Sequence, residues 1–304
     1  MVKEFKSRIM GYINLIRPFT LLAPIIISLC IMIASLFYYG MADSFFATLL
    51  TKIIPACLSL AILNGASNAL NQVTDIKADR ISKPYRPIIK GYISLKEAIL
   101  ISIFLYIIAI SVSLLVNTMF IIFILLIGIF TVTYSLPPRV KDLLFINQLW
   151  VGIPRGLLGI LASWSVFGNA LEPLPLTIGI IAMCFLVGGS ITKDINDREA
   201  DKKAGTHTLV NIYGVRKAAL LSLPFLILPF AYIPILIDTG ILDSYLLLLT
   251  FFAIPGFFIF HLMMKDDKKI GFLENTSSWT LMYITYFAFA FSFSFLTIIG
   301  SISG

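Results

Sequence analysis

The chain has 304 residues, 59% hydrophobic and only 13% charged, with a formal net charge of +7 and a mean hydropathy of +0.95. Soluble domains are about half apolar and about a quarter charged, so this composition excludes a soluble protein. The positive balance does not point to nucleic acid, because the basic residues lie in short segments between long apolar runs.

Met1 to Arg17 carries Lys3, Lys6, Arg8 and Arg17 and reads as a short amphipathic helix at the membrane interface. The apolar run that follows is too long for the core of a signal peptide and has no small-residue cleavage site, so it is expected to be retained. Nine spans are predicted, at approximately 18–39, 46–74, 97–116, 118–136, 143–167, 174–194, 215–238, 242–264 and 277–300. Each is close to the roughly twenty residues a helix needs to cross the hydrocarbon. Continuous apolar runs of this length exclude barrel strands. Spans three and four meet so tightly near Asn117 that they must form a hairpin. The predicted fold class is therefore all-α, a polytopic membrane protein of about nine transmembrane helices in one domain covering 1–304.

The charges support the count. Alternate loops hold Lys3 to Arg17, Lys77 to Lys96, Arg139 and Lys141, Lys193 to Lys217, and Lys265 to Lys269, whereas the opposite loops hold Asp43, Glu172, Asp238 and Asp243. Of 23 basic residues only Lys52 and Arg155 fall outside this pattern. The positive-inside rule then places the N-terminus and the long loops, about 75–96 and 194–214, in the cytoplasm. The expected location is the plasma membrane of a prokaryote. Cys30, Cys57 and Cys184 lie in apolar segments without CxxC spacing and read as small buried hydrophobes. His207 and His261 are too few for a zinc site.

Two acidic motifs end apolar spans on the basic side. Asn71, Asp75 and Asp79 recur at i, i+4 and i+8, and drift across only about 80° of a helix, so they share a face. Asp194, Asp197 and Asp201 recur at i, i+3 and i+7, again on one face. Like charges so spaced repel, and carboxylates at the end of a membrane span are costly, so both motifs ask for a cation. Oxygen ligands without His or Cys in either motif select a hard metal, magnesium above all. Magnesium binds a few carboxylates together with substrate phosphates, so two facing clusters would make a diphosphate site. Beside them, Arg80, Lys83, Arg86, Lys193, Arg198 and Lys202 would suit phosphate oxygens. Asp75-Ile-Lys-Ala-Asp79-Arg80 also resembles Asp197-Arg-Glu-Ala-Asp201-Lys202, which suggests two pseudo-repeated helical halves.

The string Asn71 to Asp79, followed by Lys83-Pro-Tyr-Arg-Pro87 and Gly91, resembles the first signature of the UbiA superfamily of intramembrane prenyltransferases. The segment from Lys193 through Asp194, Asp197 and Asp201 to Gly205-Thr-His-Thr208-Leu209 resembles its second. The segment Tyr134-Ser-Leu-Pro-Pro-Arg139 is similar to that of the chlorophyll synthase branch and its archaeal relatives. One departure is visible: Gln72 stands where the family usually has Asp, which leaves the carboxylate count of the first motif open.

The resemblance implies a helical bundle around a central cavity with cytoplasmic cap loops. It also implies magnesium, two ions in the expected mechanism, held by Asp75, Asp79, Asp194, Asp197, Asp201 and Asn71, with Asp75, Asp79, Asp197 and Asp201 catalytic. The substrates it implies are a polyprenyl diphosphate and a lipophilic acceptor, drawn from membrane lipids. Candidates are a quinone precursor, geranylgeranylglyceryl phosphate or a tetrapyrrole carboxylate. Lys83, Arg86, Lys193 and Arg198 are diphosphate candidates, and Tyr134 would face the allylic cation or the substrate. Asn147 is expected to line the cavity. Arg139, Lys141 and Arg155 would suit an anionic acceptor, although Arg155, between Pro154 and Gly156, would equally pair with a carbonyl freed by the proline. The rival readings are a cation-coupled transporter, which would also show repeats and broken helices, and a non-catalytic lipid-binding protein.

Overall fold

The computed structural model describes residues 2–265, 269–270 and 275–303. An initial helix, α1 (Val2–Ile16), leads into α2 (Pro18–Tyr38). A 3₁₀ turn (Ala42–Ser44), α3 (Phe45–Thr48), a π-helical turn (Leu49–Ile53) and α4 (Ile54–Thr74) then run on as one span, followed by α5 (Ile76–Ser82). Next come α6 (Leu95–Ser113), α7 (Thr118–Ser135), α8 (Ile146–Gly152), a π-helical stretch (Ile153–Leu158) and α9 (Gly159–Trp164). The chain ends with α10 (Pro173–Ala204), α11 (Leu209–Ala231), α12 (Ile233–Asp238), a 3₁₀ segment (Ser244–Phe252), α13 (Ala253–Met264) and α14 (Ser277–Ser303). A two-residue antiparallel pairing of β1 (Lys269–Ile270) with β2 (Asn275–Thr276) is the only extended pairing among the described residues.

Eight of the described helices are long and apolar enough to cross a membrane. The fifth expected span, 143–167, is a helix in three pieces, α8, the π-helical stretch and α9, of 7, 6 and 6 residues. Pro154 lies inside it, and a proline removes one backbone donor and pushes away the preceding turn. Two further expectations need correction. The region 194–214 is not mainly loop, because α10 runs on for 32 residues to Ala204. Nor do Asn71, Asp75 and Asp79 share one uninterrupted helix: α4 stops at Thr74, Asp75 has φ −104° and ψ 16°, and α5 restarts at Ile76. The i to i−4 bonds survive the break, from Asp75 N–H to Asn71 O and from Asp79 N–H to Asp75 O.

Local chemistry sets the other boundaries. Ser94 and Glu97 form a reciprocal capping box that starts α6. Asn117 closes the expected hairpin: its Oδ1 accepts from Phe120 N–H at 2.8 Å and its Nδ2 donates to Ser165 O at 2.7 Å. Gly205, at φ 77°, ends α10 in the left-handed conformation that favours glycine. Thr208 then caps α11 by accepting from Asn211 N–H. The Gly205-Thr-His-Thr208 segment is thus the turn between two helices.

The bundle is built on α10, which packs against α8, α11 and the π-helical stretch, while α2 joins α4 to α14. Trp164, Phe185, Phe230, Phe289 and Phe293 fill the core around α10, and Phe120, Phe123, Ile124 and Leu63 fill a second cluster between α4 and α7. The outer surface carries Phe46, Leu100, Phe104, Phe291 and Ile302, all exposed, as a lipid-facing surface requires.

Small residues permit the closest approaches. A Cβ built on Gly156 would lie 2.5 Å from Met183 Cα and N. Gly156→Ala is therefore expected to destabilise by roughly 1–3 kcal/mol, read as a lower melting temperature in detergent. Gly128→Ala, where a Cβ meets nothing within 4 Å, should leave the melting temperature unchanged.

Candidate active site

Two connected chambers open between the helices. The outer one, about 560 Å³, is lined by both acidic motifs: Asn71, Asp75 and Asp79 from α4 and α5, and Asp194, Asp197 and Asp201 from α10. The inner one, about 250 Å³, runs deeper between α2, α4, α7, α8, α10 and α14 and is walled by groups such as Ile27, Leu60, Ile127 and Trp279. Asn71, Lys83, Tyr134, Asn147, Lys193, Asp194 and Asp197 line both and form the neck between them.

The carboxylates of the outer chamber are compensated by named cations. Asp75 accepts from Lys141 Nζ and from Arg139 Nη2 at 3.1 Å. Asp79 pairs with Arg86, and Asp197 accepts from Lys83 Nζ at 2.9 Å on both oxygens. Lys83 and Arg86 reach the chamber because the Lys83-Pro-Tyr-Arg-Pro87 segment turns tightly after α5, with Arg86 N–H on Lys83 O. Lys141 also donates to Asn71 Oδ1 at 2.9 Å, tying the connection between α7 and α8 to the first motif.

Burial acts on these groups in different directions. Asp79 is raised above the usual carboxylate range by burial, with Arg86 and Lys83 opposing. Asp201 is pushed up to about 6, first by burial and then by Asp197. Burial also pulls Asp197 upward, but Lys83 and Lys193 together outweigh it and hold the group below its ordinary value. Lys83 and Lys141 are both lowered by burial, partly offset by their Asp partners.

Most of the residues singled out from sequence come together here. Arg155 lies in the inner chamber only, and Arg139 lies in the outer chamber only, where it is tied to Asp75 and Asp142. Arg198 is exposed and lines neither chamber. Lys141, expected from sequence to suit an acceptor, instead holds Asp75. Gln72 is also clear of both chambers. It is 2% exposed and donates to Leu15 O at 2.7 Å, so it pins the end of α1 to α4. Sequence reasoning missed Gln148, which donates to Asp194 Oδ2 at 3.4 Å, and the cavity role of Arg17. Arg17 gave no signal beyond its charge. It reaches the inner chamber because the chain turns at φ 55° between α1 and α2. Burial, then Arg86 and other neighbours, lowers its basicity.

The donor set suits a hard divalent cation, since the outer chamber offers Asp and Asn oxygens and no His or Cys. Among the described residues no three acidic, His or Cys groups converge tightly enough to hold an ion by themselves.

A polytopic helical membrane protein with an acid-lined chamber that continues into a deeper one of mixed apolar and charged lining is thus defined. The UbiA prenyltransferase family model matches residues 21–271. The digeranylgeranylglyceryl phosphate synthase of Methanosphaera stadtmanae is 31% identical over 72% of this chain and 79% of its own length. A solved digeranylgeranylglyceryl phosphate synthase superposes with a TM-score of 0.67 at 22% identity, over 98% of this chain and 99% of that one. A UbiA homolog from Archaeoglobus fulgidus bound to DMAPP and Mg2+ gives 0.72 at 19% identity, over 95% and 99%. The chain belongs to the UbiA prenyltransferase family and is an integral membrane prenyltransferase.

The Asp79–Arg86 pair makes a local test. Arg86→Ala leaves a nearly buried carboxylate without its cation, with an expected loss of about 3–5 kcal/mol. Asp79 is already raised by burial, so its ionised form is the disfavoured one and the loss should deepen as pH rises. Adding Asp79→Asn should recover most of the melting temperature.

Proposed function

We propose that this enzyme transfers a prenyl group from a prenyl diphosphate, bound with magnesium at the outer chamber, to an anionic lipid acceptor of the geranylgeranylglyceryl phosphate kind, releasing diphosphate. Support comes from one observation above all: both acidic motifs and their cationic partners line a single chamber that continues into a deeper one with apolar walls and its own charged groups. The relatives agree, being digeranylgeranylglyceryl phosphate synthases, while the Archaeoglobus fulgidus homolog carries DMAPP and Mg2+.

In this reading Asp75, Asp79, Asp194, Asp197 and Asp201, with Asn71, hold the metal, and two ions are proposed. Bound magnesium supplies charge that stabilises the leaving diphosphate oxygens. Lys83 and Arg86, placed beside the carboxylates, would turn to phosphate oxygens when a cation takes their Asp partners. The C–O bond at the allylic carbon breaks with its electron pair going to the diphosphate. The acceptor hydroxyl oxygen then bonds to that carbon as its O–H bond breaks and the proton passes to the released diphosphate. Tyr134 stands at the neck, where its ring faces the developing cation. Its ring centroid lies 5.9 Å from Lys141 Nζ. The apolar inner walls take the tails and exclude the water that would otherwise trap the cation. We further propose that the acidic end and the N-terminus face the cytoplasm of a prokaryotic plasma membrane. The whole chain would form one domain, with α4–α5 and α10 as equivalent parts of two related halves.

Reconstituted enzyme should release diphosphate and form a doubly prenylated glyceryl phosphate, identified by mass spectrometry, only when magnesium is present. Asp75→Asn and Asp197→Asn should each cut turnover by more than about 100-fold. Because each leaves a buried cation, Lys141 or Lys83, without its carboxylate, each should also lower the melting temperature. Product on a tetrapyrrole or quinone precursor instead would overturn the acceptor assignment. Because Asp201 holds its proton up to about pH 6, that proton competes with the cation. Apparent magnesium affinity, measured by titration without substrate, should fall as pH drops through about 6, where Asp201 takes up its proton and the likewise raised Asp79 adds to the loss.

A further inference from the structure

Arg155 is a charge inside a membrane-spanning bundle, and its setting is specific. It follows Pro154 in the π-helical stretch, on the same face as Asn147 and roughly 12 Å further along the helix. Its guanidinium is exposed to the inner chamber, where Nη1 donates to Tyr283 Oη at 3.3 Å. Its backbone carbonyl accepts from Tyr286 OH at 2.9 Å, which satisfies a group of the widened turn and fixes the segment. The carbonyl that Pro154 frees belongs to the preceding turn. Among the hydrogen bonds of the described residues the guanidinium donates to Tyr283 Oη and to no backbone carbonyl, so it is left for another purpose.

The inner chamber is lined by four cationic side chains, Arg17, Lys83, Arg155 and Lys193, against two carboxylates, Asp194 and Asp197. Lys83 is paired with Asp197. Among the described residues no carboxylate lies within ion-pair distance of Arg17 or Arg155. Unpaired positive charge in a low-dielectric cavity is costly until an anion arrives. The diphosphate has its own cations and carboxylates in the outer chamber, so the inner excess asks for a second anion.

We infer that Arg155, steadied by Tyr283 and supported by Arg17, forms a metal-independent subsite for the anionic head group of the acceptor. The inference rests on the prenyl-transfer reading above and deepens it by assigning the acceptor's charge to one place. The guanidinium fork matches the oxygens of a phosphate or carboxylate. Asn147, whose buried Oδ1 has no partner among the described residues, stands between this subsite and the acidic motifs. An acceptor anchored at Arg155 would thus extend toward the neck, where the allylic carbon lies. Trp279 and Tyr283, with ring centroids 4.3 Å apart, wall the subsite from α14.

The experiment compares geranylgeranylglyceryl phosphate with its dephosphorylated alcohol as acceptors, at saturating magnesium and prenyl diphosphate. Wild-type enzyme is expected to favour the phosphate strongly. Arg155→Gln should raise KM for the phosphorylated acceptor roughly 10- to 100-fold, while kcat and KM for the prenyl diphosphate stay within about threefold. The phosphate-to-alcohol preference should collapse with it. Arg155→Lys should restore part of that preference, and Tyr283→Phe should weaken it less than Arg155→Gln does. A general loss of folding lowers both acceptors alike and leaves the ratio unchanged, so the ratio isolates the role. An unchanged ratio in Arg155→Gln, or a rise in KM for the diphosphate instead, overturns the subsite while leaving prenyl transfer intact. Absence of diphosphate release by the wild type overturns prenyl transfer, and the subsite with it.

Discussion

Everything in this structure turns on compensating carboxylates that sit where water is scarce. A charge taken out of water costs several kcal/mol, and one partner removed from a buried pair leaves that cost exposed. Here the compensation is done by residues from separate parts of the chain. Asp75 is met by the connection between α7 and α8, Asp79 by the segment after α5, and Asp197, on α10, by Lys83 of that same segment. The ion pairs therefore join the first acidic motif, the second and both connecting segments into one lid over the bundle. In the proposed function, cations that balance the acids at rest are in place to meet phosphate oxygens, so that stability and substrate recognition would draw on the same side chains.

Below that lid the physics changes to shape. Without a strong hydrophobic drive between helices in lipid, close packing decides which helices touch, and glycines at Gly156, Gly188 and Gly256 let neighbours approach to backbone distance. The broken helix α8–α9 is part of the same logic. Its widened turn around Pro154 presents Arg155 to the cavity instead of to lipid, and Tyr286 ties α14 to that turn through the Arg155 carbonyl. Irregular backbone at membrane depth is tolerated where it lines a cavity in this way.

Much of this was legible from the chain alone. Length and apolarity of the runs, together with the segregation of 21 of 23 basic residues onto one set of loops, outlined the spans. The interruption of the fifth, 143–167, was not legible because hydropathy averages over about twenty residues and does not register a proline-centred change of helix type. The oxygen-only acidic motifs named hard-metal chemistry before any geometry was at hand. Gln72 was harder to read. As a residue in a signature it looked like a weakened ligand, yet it pegs α1 to α4. Lys141 was read for its charge, and only the fold showed which acid it serves. Arg198, although it directly follows Asp197 in sequence, points outward.

By itself, then, the sequence determined the solvent, the helical class, the family signatures and the kind of ion and anion the site suits. Those properties reside in composition and in spacing along single helices, where side chains a turn apart must share a face. Only the tertiary structure decided which acid meets which base, that both motifs line one chamber, and that Arg17 and Arg155 reach a common cavity from opposite ends of the first half of the chain. Such meetings depend on where helices break, at Asp75 and Pro154, and on how neighbours cross. Both follow from long-range packing that no window of twenty residues contains.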